Sequence, residues 1–146
     1  MKFVLALLSL AFATAMAADV PAGEAPAKKT IVSRPADYKT IKQDWGELTW
    51  FVSGEQKNCD ALTVGKATIK PGCESPRHYH PNCTEVLHVL KGKIVHAIED
   101  GKTVEMSEGD TITIPPNLKH NAKNVGTENA VMLICFSTAD RKAVNE

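Results

Sequence analysis

Short runs in which apolar and polar residues alternate recur along the chain from about residue 31 onward. The period is two, as in residues 61–69, where Leu62, Val64, Ala67 and Ile69 stand among polar residues. Alternate side chains of a strand point to opposite faces, so each run predicts a strand with one buried face. The predicted strands cover residues 48–52, 61–69, 85–90, 93–98, 103–106, 111–114, 122–125 and 130–137.

Turn-forming residues separate nearly all of these runs. Gly, Pro and Asn recur at the junctions, and the Asp-Gly pair at 100–101 is the strongest hairpin signal. No segment carries a sustained helical period, so we expect at most one short helix, around residues 35–38 or in the last residues. Many short strands at this spacing predict an all-β sandwich or barrel, and the absence of an internal repeat predicts one barrel.

The N-terminus has the pattern of a secretory signal peptide. A positive start at Lys2 precedes an apolar stretch over residues 3–13, and small residues follow at Ala15 and Ala17. We expect cleavage after Ala17, with Ala18 as the alternative, so that residues 1–17 are the signal peptide. The apolar stretch falls short of the roughly 20 residues that span a bilayer, which disfavours an N-terminal membrane anchor. The protein is therefore expected to be secreted or periplasmic, with no membrane association after cleavage.

Two further segments follow the signal peptide. Residues 18–30 are rich in Ala, Pro and Lys and predict a flexible linker, whereas residues 31–146 carry the strand pattern and predict a single domain. Apolar residues make up 43% of the chain, enough for a core. Acidic and basic residues number 17 each, so no basic excess points to nucleic acid or an anionic membrane surface as a partner.

Four cysteines occur in this chain, which is expected to be exported. An even number outside the cytoplasm allows up to two disulfides among Cys59, Cys73, Cys83 and Cys135, and the sequence leaves the pairing open. Their spacing is not the C-x-x-C of zinc or thioredoxin sites. Cys135 lies in an apolar run and is expected to be a small buried residue.

The sequence contains three histidines and a glutamate that are candidate metal ligands. His78 and His80 are two apart, so on one strand both imidazoles face the same side. Glu85 lies an odd number of residues after His80, but Pro81 and the following Asn break the strand and allow Glu85 to re-enter facing inward. His120 follows a Pro-Pro-Asn turn and offers a fourth ligand from a neighbouring strand. Such a nitrogen and oxygen set suits Fe(II), Mn(II), Ni(II) or Zn(II).

These residues stand in a wider pattern of fixed spacing. Gly72-x5-His78-x-His80-x4-Glu85-x6-Gly92 and Gly109-x5-Pro115-x-Asn117-x2-His120-x3-Asn124 resemble the two motifs of the cupin superfamily. One position departs, since the family usually has Gly where this chain has Asn117. Asn tolerates positive φ better than other non-glycine residues, so we expect the turn to be retained.

The resemblance implies a double-stranded β-helix, or jelly-roll barrel, with one divalent metal ion in its mouth. The metal ligands of such cupins correspond here to His78, His80, Glu85 and His120. Glu85 is also a candidate catalytic base, and the quercetin dioxygenases are the nearest model in ligand set. The resemblance further implies a small-molecule substrate or ligand and a homodimer.

Other residues near the motifs are assigned more ordinary roles. His88, three residues after Glu85, is expected to face the opposite side of its strand and to serve packing or an interface. The face of His96 is undetermined. Tyr79 should point away from the metal, Arg77 is expected to be solvated, and the two tryptophans, Trp45 and Trp50, are assigned to core or dimer packing.

Three functions stay open on the sequence. The first is oxygen-dependent chemistry by a small dioxygenase-like enzyme. The second is an isomerase or lyase in which the metal polarises a carbonyl, as in a sugar acid, without O2. The third is a binding or storage module without turnover, because fold alone never settles function.

Overall fold

The computed structural model describes residues 31–99 and 101–146. The predicted signal peptide over 1–17 and the linker over 18–30 lie outside the described residues, as does the first residue of the 100–101 turn. A 3₁₀ helix at Pro35–Asp37 precedes the strands, where one of the two expected helix positions lay. The strands are β1 Lys39–Gln43, β2 Gly46–Val52, β3 Thr63–Ile69, β4 His78–Tyr79, β5 Glu85–Lys91, β6 Lys93–Ile98, β7 Lys102–Ser107, β8 Thr111–Ile114, β9 His120–Asn124, β10 Ala130–Phe136 and β11 Val144–Asn145.

The strands form two antiparallel sheets that face each other. One sheet has the order β1-β2-β3-β10-β5-β8, and the other has the order β11-β4-β9-β6-β7. Several neighbours within a sheet are far apart in sequence, as in the pairing of β3 with β10, where Thr63 lies opposite Phe136. This arrangement is the jelly-roll barrel that the resemblance implied, and the all-β prediction is confirmed.

The core lies between the two sheets. Burial alternates strictly along β3 and β10, so that Ile69, Met132 and Phe136 face inward while their neighbours face out. Trp50 packs over Gly65 on the adjacent strand, where an added Cβ would lie 2.6 Å from the indole ring. Gly65 is therefore what allows the indole to lie flat against β3 and to form part of the inner wall.

The alternation predicted most strands to within two residues, but three strands were missed. Strand β1 is exposed along its whole length and carries no alternating pattern. Strands β4 and β11 are two residues long and exist through their pairing with each other and, for β4, with β9. Across the described residues no helix is long and apolar enough to cross a membrane.

Candidate metal centre

Four side chains from three strands and a loop converge between the sheets. His78 on β4 lies opposite His120 on β9, and His80 follows β4 directly. Glu85 begins β5 in the other sheet, after the chain leaves strand geometry at residues 81–84. One ligand atom from each of His78, His80, Glu85 and His120 lies within 4.8 Å of the others. The structure thus brings together the four residues singled out in the sequence.

The turn before His120 is tied to the loop that carries His80. Asn117 has φ of 66°, the left-handed conformation for which the family usually uses Gly, and the turn is retained as expected. The backbone N–H of Asn117 donates to the carbonyl of His80 at 2.9 Å. The two motifs therefore fix each other's position.

Backbone carbonyls hold all three histidines in one tautomer. Nδ1 of His78 lies 2.8 Å from the carbonyl of Pro76, Nδ1 of His80 lies 2.6 Å from that of Lys142, and Nδ1 of His120 lies 2.8 Å from that of Leu118. A carbonyl only accepts, so each Nδ1 carries the proton and donates it. With Nδ1 used as the donor, each ring directs Nε2 toward the centre, and this is the atom through which the neutral form of the ring would bind a metal.

The resulting group of acceptors fits a cation. Oε2 of Glu85 lies 3.1 Å from Nε2 of His80 and 3.2 Å from Nε2 of His120, and His80 Nε2 is buried with no hydrogen bond in the described part of the chain. Lone pairs at these distances repel unless a proton or a metal lies among them. Three imidazole nitrogens and a carboxylate are the donors that first-row divalent metals take.

The protonation states of this group suit metal binding. Burial lowers the pKa of His78 to about 4, so its ring is neutral near pH 7. Burial raises the pKa of Glu85, but the neighbouring His120 and His80 outweigh it and hold the pKa at about 2. The site therefore offers the negative charge of Glu85 and the neutral imidazole of His78.

A cavity of about 250 Å³ opens onto this group. His78, Glu85 and His120 line one part of it, and the rest of the wall is largely apolar. The apolar wall includes Leu48, Trp50, Ala67, Ile69, Met132 and Ile134. The two tryptophans, assigned from sequence to packing, both line this cavity, Trp50 as a buried member of the core and Trp45 packed against the core.

His96 also belongs to the cavity, which settles the face that the sequence left open. Its ring is buried and stacks on His120 with 5.6 Å between centroids and 15° between planes. Its Nδ1 has no hydrogen-bond partner among residues 31–99 and 101–146. Burial, followed by the neighbouring His120, lowers the pKa of His96 to about 4, so the ring is neutral.

The remaining candidates lie outside the centre. His88 faces outward on β5 and its Nδ1 lies 2.8 Å from Oγ1 of Thr111, in line with the packing role expected of it. Arg77 is not merely solvated, because its Nε donates to Glu146 at 2.7 Å and it also donates to the carbonyl of Glu99. Tyr79, between two of the converging histidines, is half-buried.

The four cysteines are free thiols in the structure. Cys83 is buried, whereas Cys59 and Cys73 are half-buried. Cys135 is half-buried on the outward side of β10 instead of fully buried, because the inward positions of this strand are the even-numbered ones. The apolar run over 130–137 concealed this alternation, since both faces of β10 carry apolar residues.

Sequence reasoning missed Arg141, a cationic residue that lines the cavity. Its guanidinium carbon lies 4.8 Å from the ring centroid of Trp50 and 5.1 Å from that of Phe136. The segment around it has no strand pattern and lies after the second motif. Only the fold, which brings residues 140–142 back to the loop after His80, places it here.

Comparisons with known proteins agree with this geometry. The family model described as a cupin domain matches residues 65–136. A polyketide synthase CurC of Streptomyces cyaneus is 32% identical over 107 residues, which cover 71% of this chain and 69% of that protein. The chain is a cupin. Other curated relatives include germin-like protein subfamily 3 member 2 of Arabidopsis thaliana, 36% identical over 80 residues, and oxalate oxidase 1 of Hordeum vulgare, 30% identical over 88 residues.

The cupin spans only part of most of these relatives. It covers 35% of the Arabidopsis protein and 44% of the Hordeum oxidase, while those matches take in 52% and 56% of this chain. Among solved structures, oxalate decarboxylase of Lactobacillus farciminis superposes with a TM-score of 0.69 at 19% identity, covering 75% of this chain and 34% of that one. This likeness supports the jelly-roll fold.

Proposed function

We propose that this cupin holds one divalent metal ion through His78, His80, Glu85 and His120 and is an oxygen-dependent, dioxygenase-like enzyme for a small organic molecule. The observation that carries the proposal is the access to the site. Three of the four residues face the cavity, and no fifth His, Cys, Asp or Glu joins the group in the described ranges. A metal with four protein ligands and open positions supplies Lewis acidity and room to bind oxygen-rich molecules.

The residues of the chain have defined tasks in this proposal. The carbonyls of Pro76, Lys142 and Leu118 accept from the three Nδ1 atoms and so direct the three Nε2 atoms at the centre. Glu85 contributes the charge of the ligand set, and as the only carboxylate named in the group it is the candidate base that takes a proton from a bound hydroxyl. The apolar wall excludes water from the part of the substrate that does not react.

A direct screen can identify both the metal ion and the substrate. The ligand set suits Fe, Mn, Ni and Zn, and Mn(II) centres are named for the oxalate decarboxylase of Bacillus subtilis. Oxalate is the substrate in the name of the Hordeum relative, although a largely apolar wall also fits molecules with an aromatic or aliphatic body. The test is oxygen uptake by the Fe- or Mn-loaded protein with oxalate, catechols, flavonols and diketones. Uptake with one class supports the proposal, and none with any class contradicts it.

A second candidate is metal-assisted isomerisation or elimination without O2. Such chemistry needs an acid or base in the pocket beyond the metal ligands, and His96 is a neutral, buried imidazole at that place. Product formation from sugar acids under argon would favour this candidate over the first. The third hypothesis, a module without turnover, is favoured less because the cavity leaves the site accessible.

We also propose the organisation that the sequence predicts around this domain. Residues 1–17 would direct export to the periplasm or the exterior, and residues 18–30 would be a linker. The N-terminal sequence of the exported protein tests the predicted cleavage point. A homodimer would cover Val86 and Leu90, which are exposed on the outward face of β5. Light scattering of the wild type and of Leu90→Glu should show a dimer and a monomer, and a wild-type monomer would contradict this.

A further inference from the structure

The Arg141 guanidinium is a cationic group in the cavity wall that the metal centre does not use. It lines the same cavity as His78, Glu85 and His120. Within residues 31–99 and 101–146 no side chain or carbonyl accepts a hydrogen bond from it, and its contacts are with the faces of Trp50 and Phe136. In cation–π packing the charged guanidinium group lies over the aromatic ring. Its five N–H donors therefore stay available for hydrogen bonds.

Hydrogen bonds on both sides of Arg141 fix its backbone. The Asn82 side chain donates to the carbonyl of Asp140 at 2.7 Å and accepts from the N–H of Lys142 at 3.0 Å. The carbonyl of Lys142 in turn accepts from Nδ1 of His80 at 2.6 Å. The same loop that carries a candidate metal ligand therefore holds Arg141 in place, as a preorganised binding residue requires.

The charges of the cavity call for an anion. Arg141 and Glu85 carry opposite single charges that cancel, so a divalent ion at the centre adds two positive charges to a cavity lined by this pair. Burial lowers the pKa of Arg141 and the charge of Glu85 raises it, and the guanidinium remains charged near neutral pH. A carboxylate matches the fork of a guanidinium with two parallel hydrogen bonds.

The size and lining of the cavity limit the rest of the ligand. A volume of about 250 Å³ corresponds to about eight water molecules, which is room for an organic molecule of about ten non-hydrogen atoms. Because Trp50, Leu48, Met132 and Ile134 contribute apolar wall, a ligand made of carboxyl groups alone would leave that wall in contact with water.

We infer that Arg141 binds the carboxylate of a small organic acid whose aromatic or aliphatic body lies against the apolar wall, with its other oxygen groups toward the metal centre. The orientation of the ligand, with its other oxygen groups toward the metal centre, rests on the proposed function. The contact between the carboxylate and Arg141 needs no metal. The assignment narrows the substrates to carboxylic acids with an apolar body.

Benzoate is a suitable probe, because it joins one carboxylate to one ring, and benzamide is its neutral counterpart. Calorimetric titration of the full chain should show benzoate binding, weakened about 10- to 100-fold in Arg141→Gln, as expected for loss of a charge-assisted bidentate pair. Benzamide should bind weakly and equally to both proteins, which shows that the cavity of the variant is intact. Arg77→Gln, which removes an arginine outside the cavity, should bind benzoate like the wild type.

Repeating the titration with chelated and metal-loaded protein separates this inference from the proposed function. Loss of affinity in Arg141→Gln under both conditions supports the inference even if the metal site fails. Equal benzoate affinity in wild type and Arg141→Gln, or no saturation of the wild type up to about 10 mM, overturns it. If Arg141→Gln no longer binds benzamide, Arg141→Lys takes its place, which keeps the charge, loses the fork and should weaken benzoate by a smaller factor.

Discussion

Nδ1 of His80 lies 2.6 Å from the backbone carbonyl of Lys142, a residue 62 positions later in the chain. Asp140 lies two positions before Lys142, and its carbonyl accepts a hydrogen bond from the side chain of Asn82, on the loop that follows His80. The end of the chain thus acts as an outer support of the metal centre. It sets the tautomer and the direction of one candidate ligand although it contributes no ligand itself.

Truncation of this support should weaken metal binding. A chain that ends at residue 139 keeps all four candidate ligands but loses the carbonyl that orients His80, so we expect metal affinity to fall about 10- to 100-fold, measured by competition with a chelator. A chain that ends at residue 143 keeps the carbonyl but loses the pairing of β11 with β4, and should bind the metal more tightly than the chain that ends at residue 139. Equal affinity of the shorter chain and the full chain would show that the support has no role.

Replacement of His96 should leave the metal in place. His96 stacks on His120 but is not part of the group of four, so His96→Phe, which retains an aromatic ring in the stack, should keep the metal content of the wild type. Turnover of any substrate found should fall, because the only change is in the wall of the cavity. A variant that loses its metal would make His96 a fifth ligand and would refute the four-residue centre.

Asn124 should contribute more to stability than to metal binding. Its side chain is fully buried, donates to the carbonyls of Ile69 at 2.8 Å and Glu128 at 2.7 Å, and accepts from the N–H of Gly126 at 2.9 Å. Loss of these bonds leaves buried backbone groups unsatisfied, so Asn124→Ala should lower the free energy of unfolding by about 3 kcal/mol. Chemical denaturation measures this, with the half-buried Asn121 on the same strand as the matched control. A change in Asn124→Ala no larger than in Asn121→Ala would contradict this role.

The barrel could be predicted from the sequence because its two determinants, the alternation of apolar and polar residues and the two motifs, are local patterns. Alternation gave most strands, and the two motifs placed the turns, including Asn117 at positive φ. Strand β1 could not be predicted, because it has no buried face to impose a pattern and is held by its pairing with β2.

The walls of the site were harder to predict than its candidate ligands. The spacing of His78, His80 and Glu85 reflects one strand followed by one turn. The sequence of this short segment is therefore enough to predict that the three side chains face the same site. His96 and Arg141 reach the cavity through pairings of distant segments, β6 with β9 for the first and residues 80–82 with 140–142 for the second. No spacing in the sequence encodes such contacts, and an isolated Arg near a chain end has no distinguishing pattern.

Metal content tests the central claim most directly. The protein is purified without oxygen and without a metal-affinity tag, and elemental analysis is made of the wild type, His80→Ala and His88→Ala. We expect about one divalent ion per chain in the wild type and in His88→Ala, whose imidazole faces away from the centre, and far less than one in His80→Ala. Far less than one ion per chain in the wild type even after reconstitution, or unchanged metal in a folded His80→Ala, would contradict the four-ligand centre and the metal-dependent function proposed for it.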